Sequence, residues 1–116
     1  KNQKKVSKIM NENNFSNEDT IIIIRTFLLK TKRLLHLSQD IKSNPNLELV
    51  ISQYKPPIFW KEKEIVKQQL KMWSEKNLRK LINEINNTEL LIKKNVNISL
   101  NILLNFIFTN SKITNN

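Results

Sequence analysis

The sequence predicts an all-α fold, a bundle of about five to six antiparallel helices. Apolar residues recur every three or four positions along most of the chain, as on one face of a helix. Turn and capping signals divide the chain into segments of helical length. The connections between these segments are short, which predicts antiparallel neighbours. With 116 residues, of which 39% are hydrophobic, the chain fits one folded domain.

The first predicted helix covers residues 3–13 and has Val6, Ile9 and Met10 on one face. Asn13, Asn14 and Phe15 then interrupt the pattern. Residues 1–14 belong either to this domain or to the end of a preceding one, and residues 15–116 form the main helical domain.

The second helix is predicted over residues 17–42, with Ser16 or Asn17 as its cap. The run Ile21 to Ile24 also suits a buried strand, because β-branched residues favour strands. The continuation favours a helix, since no turn signal follows until Ser43. Apolar residues lie at helical spacing over the whole segment: Ile21, Ile24, Phe27, Leu28, Leu34, Leu35 and Ile41.

The third and fourth helices are predicted over residues 45–54 and 59–73. Asn44 caps the third helix and Pro45 occupies its first position, where a missing N–H costs nothing. Pro56 and Pro57 end it, because residues before proline avoid the helical region. The apolar residues of the fourth helix are Phe59, Ile65, Val66, Leu70 and Trp73.

The fifth helix begins after its cap Ser74 and extends to about Asn95, and the last covers residues 98–110. The last helix is apolar nearly all round, so we expect it to be buried on several sides or covered by a partner. Exposed parts of the second helix are candidates for contact with a partner, and so are four residues of the last helix: Ile102, Leu103, Phe106 and Ile107. The alternative for each of these residues is an ordinary place in the core.

The residue types that are missing or frequent in the chain exclude several classes of function. The chain has no glycine, no alanine and no cysteine, and lysine far outnumbers arginine. A+T-rich codon usage produces this pattern, so it explains much of the formal charge of +10. The absence of cysteine suits a reducing, cytoplasmic location. The longest apolar run is too short to span a membrane. The chain starts at Lys1, which predicts that it is part of a longer protein.

No set of residues suggests catalysis. The single histidine, His36, lies among leucines, where a structural role is the plain interpretation. A phosphate-binding loop needs glycine, and a zinc site needs further histidines or cysteines. We therefore expect no enzyme activity, no catalytic residue, no metal site and no cofactor.

The segment from Tyr54 to Lys61 is the most distinctive in the chain. Pro56 and Pro57 lead directly into the adjacent aromatics Phe59 and Trp60. We expect the prolines to fix the entry angle of the next helix, and the aromatics to anchor the junction by burying a large area. This junction is either a corner within the domain or a subunit contact, since Trp and Tyr are enriched in interface hot spots.

These residues resemble a known family. The sequence Lys-Pro-Pro-Ile-Phe-Trp-Lys at residues 55–61, followed by a helix ending at Trp73 and Ser74, is similar to the C-terminal region of bacterial DNA polymerase III delta subunits. The segment from Glu89 to Lys93 matches the acidic-apolar-lysine stretch of that region. Relatives often have a small residue after this lysine, where this chain has Lys94 and Asn95. The likeness extends over residues 15–108.

The resemblance implies a clamp-loader collar domain without catalytic function. Such a domain holds delta in a pentameric ring with gamma/tau-type and delta prime-type subunits, and so supports loading of the sliding clamp during DNA replication. The clamp would be contacted only by an N-terminal domain absent from this chain, DNA only indirectly or weakly, and a membrane not at all. Residues 1–14 would then be the end of a preceding lid domain or part of the collar.

The alternative is a basic helical domain that binds nucleic acid. Lysines are frequent from residue 61 to residue 80, and Lys63, Lys67 and Lys71 recur at i, i+4 spacing. Such a stripe is either a solvated helix face or a track of phosphate contacts. Phosphate binding falls steeply with salt, whereas an apolar collar contact does not.

Overall fold

The computed structural model describes the backbone of residues 16–114 and the side chains of residues 16–110. Over this range the fold is all-α, as predicted, and contains no strand. Five α-helices occur there: α1 (Asn17–Ser43), α2 (Leu47–Gln53), α3 (Lys63–Met72), α4 (Glu75–Lys94) and α5 (Ser99–Thr114). Two 3₁₀ turns, Trp60–Glu62 and Val96–Ile98, precede α3 and α5. The predicted helix at residues 3–13 lies outside the described residues.

Local capping explains where the helices begin. At the start of α1, the Ser16 hydroxyl accepts from the N–H of Asp19, and the Asp19 carboxylate accepts from the N–H of Ser16, both at 3.1 Å. The Ser74 hydroxyl accepts from the N–H of Asn77 at 3.1 Å and caps α4. The prediction for α2 was wrong by two residues. Asn46, and not Asn44, caps it by accepting from the N–H of Leu49 at 3.2 Å, so Pro45 precedes the helix.

The residues form two compact units, to both of which α1 and α4 contribute. The second unit, Leu28–Asn83, is built around one apolar core. Leu35, Ile41, Leu47, Tyr54, Leu70 and Trp73 pack against it as half-buried side chains. The buried members of this core come from α1, α2, the junction before α3, α3 and α4: Leu34, Leu37, Val50, Ile51, Ile58, Val66 and Leu78.

Of the described residues, the first unit contains residues 16–27 and 84–114. The Phe27 and Phe106 rings meet edge to face there, with their centroids 6.2 Å apart. The buried positions include hydroxyl side chains that the periodicity did not predict. Thr20 and Thr88 donate to the carbonyls four residues earlier, which satisfies their hydroxyls without water. The buried side chains are Thr20, Ile24, Ile85, Thr88, Ile92, Ser99, Leu103, Leu104 and Phe106.

Two leucines of α1 provide a matched test of this packing. Leu37 is fully buried, whereas Leu29 is 70% exposed. We expect Leu37→Ala to lower the free energy of unfolding by about 2–5 kcal/mol, because it leaves a cavity in the core. Leu29→Ala is expected to change it by less than about 0.5 kcal/mol. Urea unfolding followed by circular dichroism measures both, and equal losses would contradict the described core.

Candidate interaction surface

The junction before α3 places its apolar residues on opposite sides. Ile58 is 5% exposed and belongs to the core of the second unit, whereas Phe59 and Trp60 are 55% and 69% exposed. Their rings lie 5.9 Å apart, and the Lys61 amine lies 5.4 Å from the centre of the Trp60 ring. The expectation that the aromatics bury a large area was wrong. Ile58 fills the core position, whereas Phe59, which follows it with φ −57° and ψ 133°, has its side chain exposed.

A polar network fixes the backbone beneath these rings. The Glu62 carboxylate accepts from Lys30 of α1 at 3.2 Å and lies 3.6 Å from the Arg33 guanidinium. The hydrogen bond from Lys30, assisted by the charge of Arg33, holds the pKa of Glu62 below its ordinary value. The Glu62 N–H donates to the carbonyl of Phe59 at 2.8 Å and closes the 3₁₀ turn. The 3₁₀ turn that contains Trp60 is therefore connected to α1 through the Glu62 side chain.

The other residues of the family resemblance have structural roles in this chain. Pro56 and Pro57 are exposed, and the peptide bond between Lys55 and Pro56 is cis. Trp73 is half-buried against the core of the second unit, and Ser74 caps α4.

Glu89 and Lys93, on α4, form an ion pair at 2.7 Å. Arg25 of α1 lies 3.7 Å from the same carboxylate. The hydrogen bond from Lys93, with a smaller contribution from Arg25, lowers the pKa of Glu89 despite its partial burial.

The four interface candidates on α5 differ in accessibility. Leu103 is fully buried and Phe106 is nearly so within the first unit, where Phe106 contacts Phe27. In this conformation neither of them offers surface to a neighbouring subunit. Ile102 and Ile107 are half-buried, so only these two candidates keep accessible surface.

The lysine stripe on α3 is interrupted by acidic partners. Lys67, at its centre, forms ion pairs with Glu48 of α2 and with Glu64 of α3. Lys63 is half-buried, which leaves Lys71 as the exposed member of the three. The described structure therefore offers no continuous row of three free amines for a phosphate backbone.

His36 lies at the surface, as part of a small cleft. Its ring is 3.4 Å from the Asp40 carboxylate and packs edge to face on Tyr54. These contacts explain the position of the His36 ring without any bound ligand. Within residues 16–114, no group of three potential metal ligands is brought together.

Periodicity also failed at Ile65, which is 55% exposed. Met72, for which the periodicity made no prediction, is 53% exposed. Ile65 was predicted to lie on the apolar face of its helix. The core face of α3 is instead the row Val66, Leu70 and Trp73, at spacings of four and three. Ile65 is adjacent to Val66 and therefore about 100° away around the helix. The spacing of Val66, Leu70 and Trp73 can be read from the sequence, and it could have predicted that Ile65 is exposed.

Comparison with known proteins adds no relative. No protein-family model matches the chain, and no curated protein or solved structure is significantly similar to it. None of the helices described above is long and apolar enough to cross a membrane.

The network around Glu89 predicts a pH effect on stability. Because its folded pKa is lowered, the ion pairs stabilise the fold above pH 4.5, the ordinary value, and this stabilisation is lost as the pH falls through the folded pKa. We expect the free energy of unfolding of Glu89→Gln to depend less on pH below 4.5 than that of the unmodified chain. Glu84→Gln is the control, because its carboxylate makes no ion pair with any described residue. Urea unfolding at several pH values tests this, and parallel curves for Glu89→Gln and the unmodified chain would contradict it.

Proposed function

We propose that this chain is an oligomerisation module of a DNA polymerase III clamp loader, the collar domain of a delta-type subunit. In this role it holds its subunit beside gamma/tau-type and delta prime-type neighbours while the sliding clamp is loaded. The proposal requires no catalytic group and no cofactor of its own. Support comes from the likeness of residues 55–61 and 73–74 to delta subunits, and from the all-α fold.

The observation that carries the proposal is the exposed aromatic pair Phe59 and Trp60. Large aromatics that remain exposed on a rigid backbone are well suited to protein contact, because docking buries their area at little cost in chain entropy. Glu62 supplies this rigidity through its bonds to α1. A corner within the domain would explain the prolines and the buried Ile58, but not the exposure of both rings.

The remaining accessible apolar surface on α5 is the second proposed contact. Ile102 and Ile107 are half-buried and lie on the same helix as the fully buried Leu103. A partner that covers them would bury the rest of an almost wholly apolar helix. Such coverage is the physical use of a helix that is apolar nearly all round.

The test is capture of purified clamp-loader subunits from the same genome by this chain, at low salt and at roughly 0.5 M salt. We expect capture at both, because an apolar contact is not screened. Trp60→Ala is expected to weaken capture by about 30-fold, as truncation of an interface hot spot does.

Leu90→Ala provides the matched control, because Leu90 is also exposed and lies on α4, outside the proposed contacts. It is expected to leave capture unchanged, and circular dichroism verifies that both variants fold. Failure to capture any subunit, with salt-sensitive retention on primed DNA instead, would overturn the proposal and favour a nucleic-acid-binding domain.

A further inference from the structure

Helix α3 exposes apolar residues on the side that faces away from its core. Val66 is buried, with Leu70 packed beside it, whereas Ile65 and Met72 are exposed. Residues seven apart lie within about 20° of each other around an α-helix. Ile65, the exposed Gln68 and Met72 therefore form one solvent face, which we call the α3 outer face.

This face continues the aromatic junction. Trp60 and Phe59 lie immediately before α3 in the chain, in the same compact unit. In the chain, the two rings precede the first turn of α3, Ile65 lies in that turn and Met72 is the last residue of the helix. The side chains of Phe59, Trp60, Ile65 and Met72 are each more than half exposed.

The charges at the borders of this surface are mainly positive. Lys61 lies over the Trp60 ring, and Lys71 is next to Met72. Both amines are exposed and make no ion pair with any described residue. The acidic residue on this side of α3 is Glu64, which pairs with Lys67 at 3.5 Å. A partner with carboxylates facing Lys61 and Lys71 would complement these charges.

The backbone of α3 limits the form of the partner. Within a helix the backbone N–H and C=O groups are hydrogen-bonded to each other, so a β-strand of the partner could not add to α3 through backbone hydrogen bonds. Recognition must use side chains. Two apolar residues seven positions apart match the ridge of an antiparallel or parallel helix with apolar residues at i, i+3 or i+4 and i+7.

We propose that the α3 outer face, with Phe59 and Trp60, docks an acidic amphipathic helix of a neighbouring subunit. Its apolar stripe packs on Ile65 and Met72, and its carboxylates pair with Lys61 and Lys71. This inference rests on the proposed role of the chain as an interaction module and adds the partner's chemistry and the place where it binds.

Charge reversal tests the predicted complementarity. The double substitution Lys61→Glu with Lys71→Glu is expected to weaken binding of the captured subunit at least about tenfold at low salt. The control is Lys76→Glu with Lys80→Glu, which changes the net charge equally on exposed lysines of α4. We expect this control to weaken binding less than about threefold. Equal losses in the two variants would overturn an acidic partner.

Absence of cysteine from the chain permits a direct test of location. Gln68→Cys places one thiol on the outer face, and Asn83→Cys places one on the exposed side of α4. When the captured clamp-loader subunit is bound, we expect alkylation to slow at least about tenfold at position 68 and to stay unchanged at position 83.

The outcomes separate the two proposals. Capture without protection at position 68 overturns the docking face and leaves the interaction module in place. Absence of capture overturns both. Ile65→Glu with Met72→Glu is a further check, since these substitutions on the exposed side preserve the core residue Val66. Undiminished capture by this variant, verified as folded by circular dichroism, would also overturn the docking face.

Discussion

Burial of Ile58 in the core of the second unit determines the surface around the start of α3. This side chain packs among residues of α1, α2, α3 and α4, and it fixes the segment that follows two prolines. With Ile58 inside, the Phe59 side chain that follows it is exposed, and so is Trp60 in the 3₁₀ turn. The orientation of α3 depends on the same constraint, because Val66 must reach the core that Ile58 occupies. Exposure of Ile65 and Met72 then follows from helical geometry.

Electrostatic contacts support this arrangement. Glu62 joins the turn to Lys30 and Arg33, and Glu75, at the start of α4, forms an ion pair with Lys42 at 2.6 Å. The bond from Lys42, with a second from Arg79, lowers the pKa of the Glu75 carboxyl. Exposed ion pairs of this kind contribute little stability singly. These pairs matter because they connect elements: Glu62 and Glu75 each bind basic residues of α1. Separate ion pairs of Lys67 with Glu48 and Glu64 divide the lysine stripe of α3.

The exposed surface and the family resemblance fall on overlapping residues. Phe59, Trp60 and Lys61 belong both to the motif that resembles delta subunits and to the surface that has no structural explanation within the chain. Trp73 and Ser74 belong to the same motif but have structural roles, as a core contact and as a cap. The motif therefore contains both structural residues, Trp73 and Ser74, and exposed residues, Phe59 and Trp60. In the proposed interaction module the exposed residues would make the contact, and the proposed acidic helix would be what they contact.

The sequence by itself determined the all-α fold and most helix ends to within about two residues, because periodicity and capping are local. The exceptions are the start of α3, predicted at Phe59 and found at Lys63, and the end of α5, predicted at residue 110 and found at Thr114. Ser16 and Ser74 cap neighbouring N–H groups, and Pro56 with Pro57 excludes helix, whatever the rest of the chain does. Only the tertiary structure decided the burial of individual side chains beside the apolar stripes. Ile65 and Trp60 looked like core residues and are exposed, while Thr20 looked polar and is buried on a carbonyl of its own helix. Burial depends on which other helix supplies the facing surface, and that information lies in residues distant along the chain.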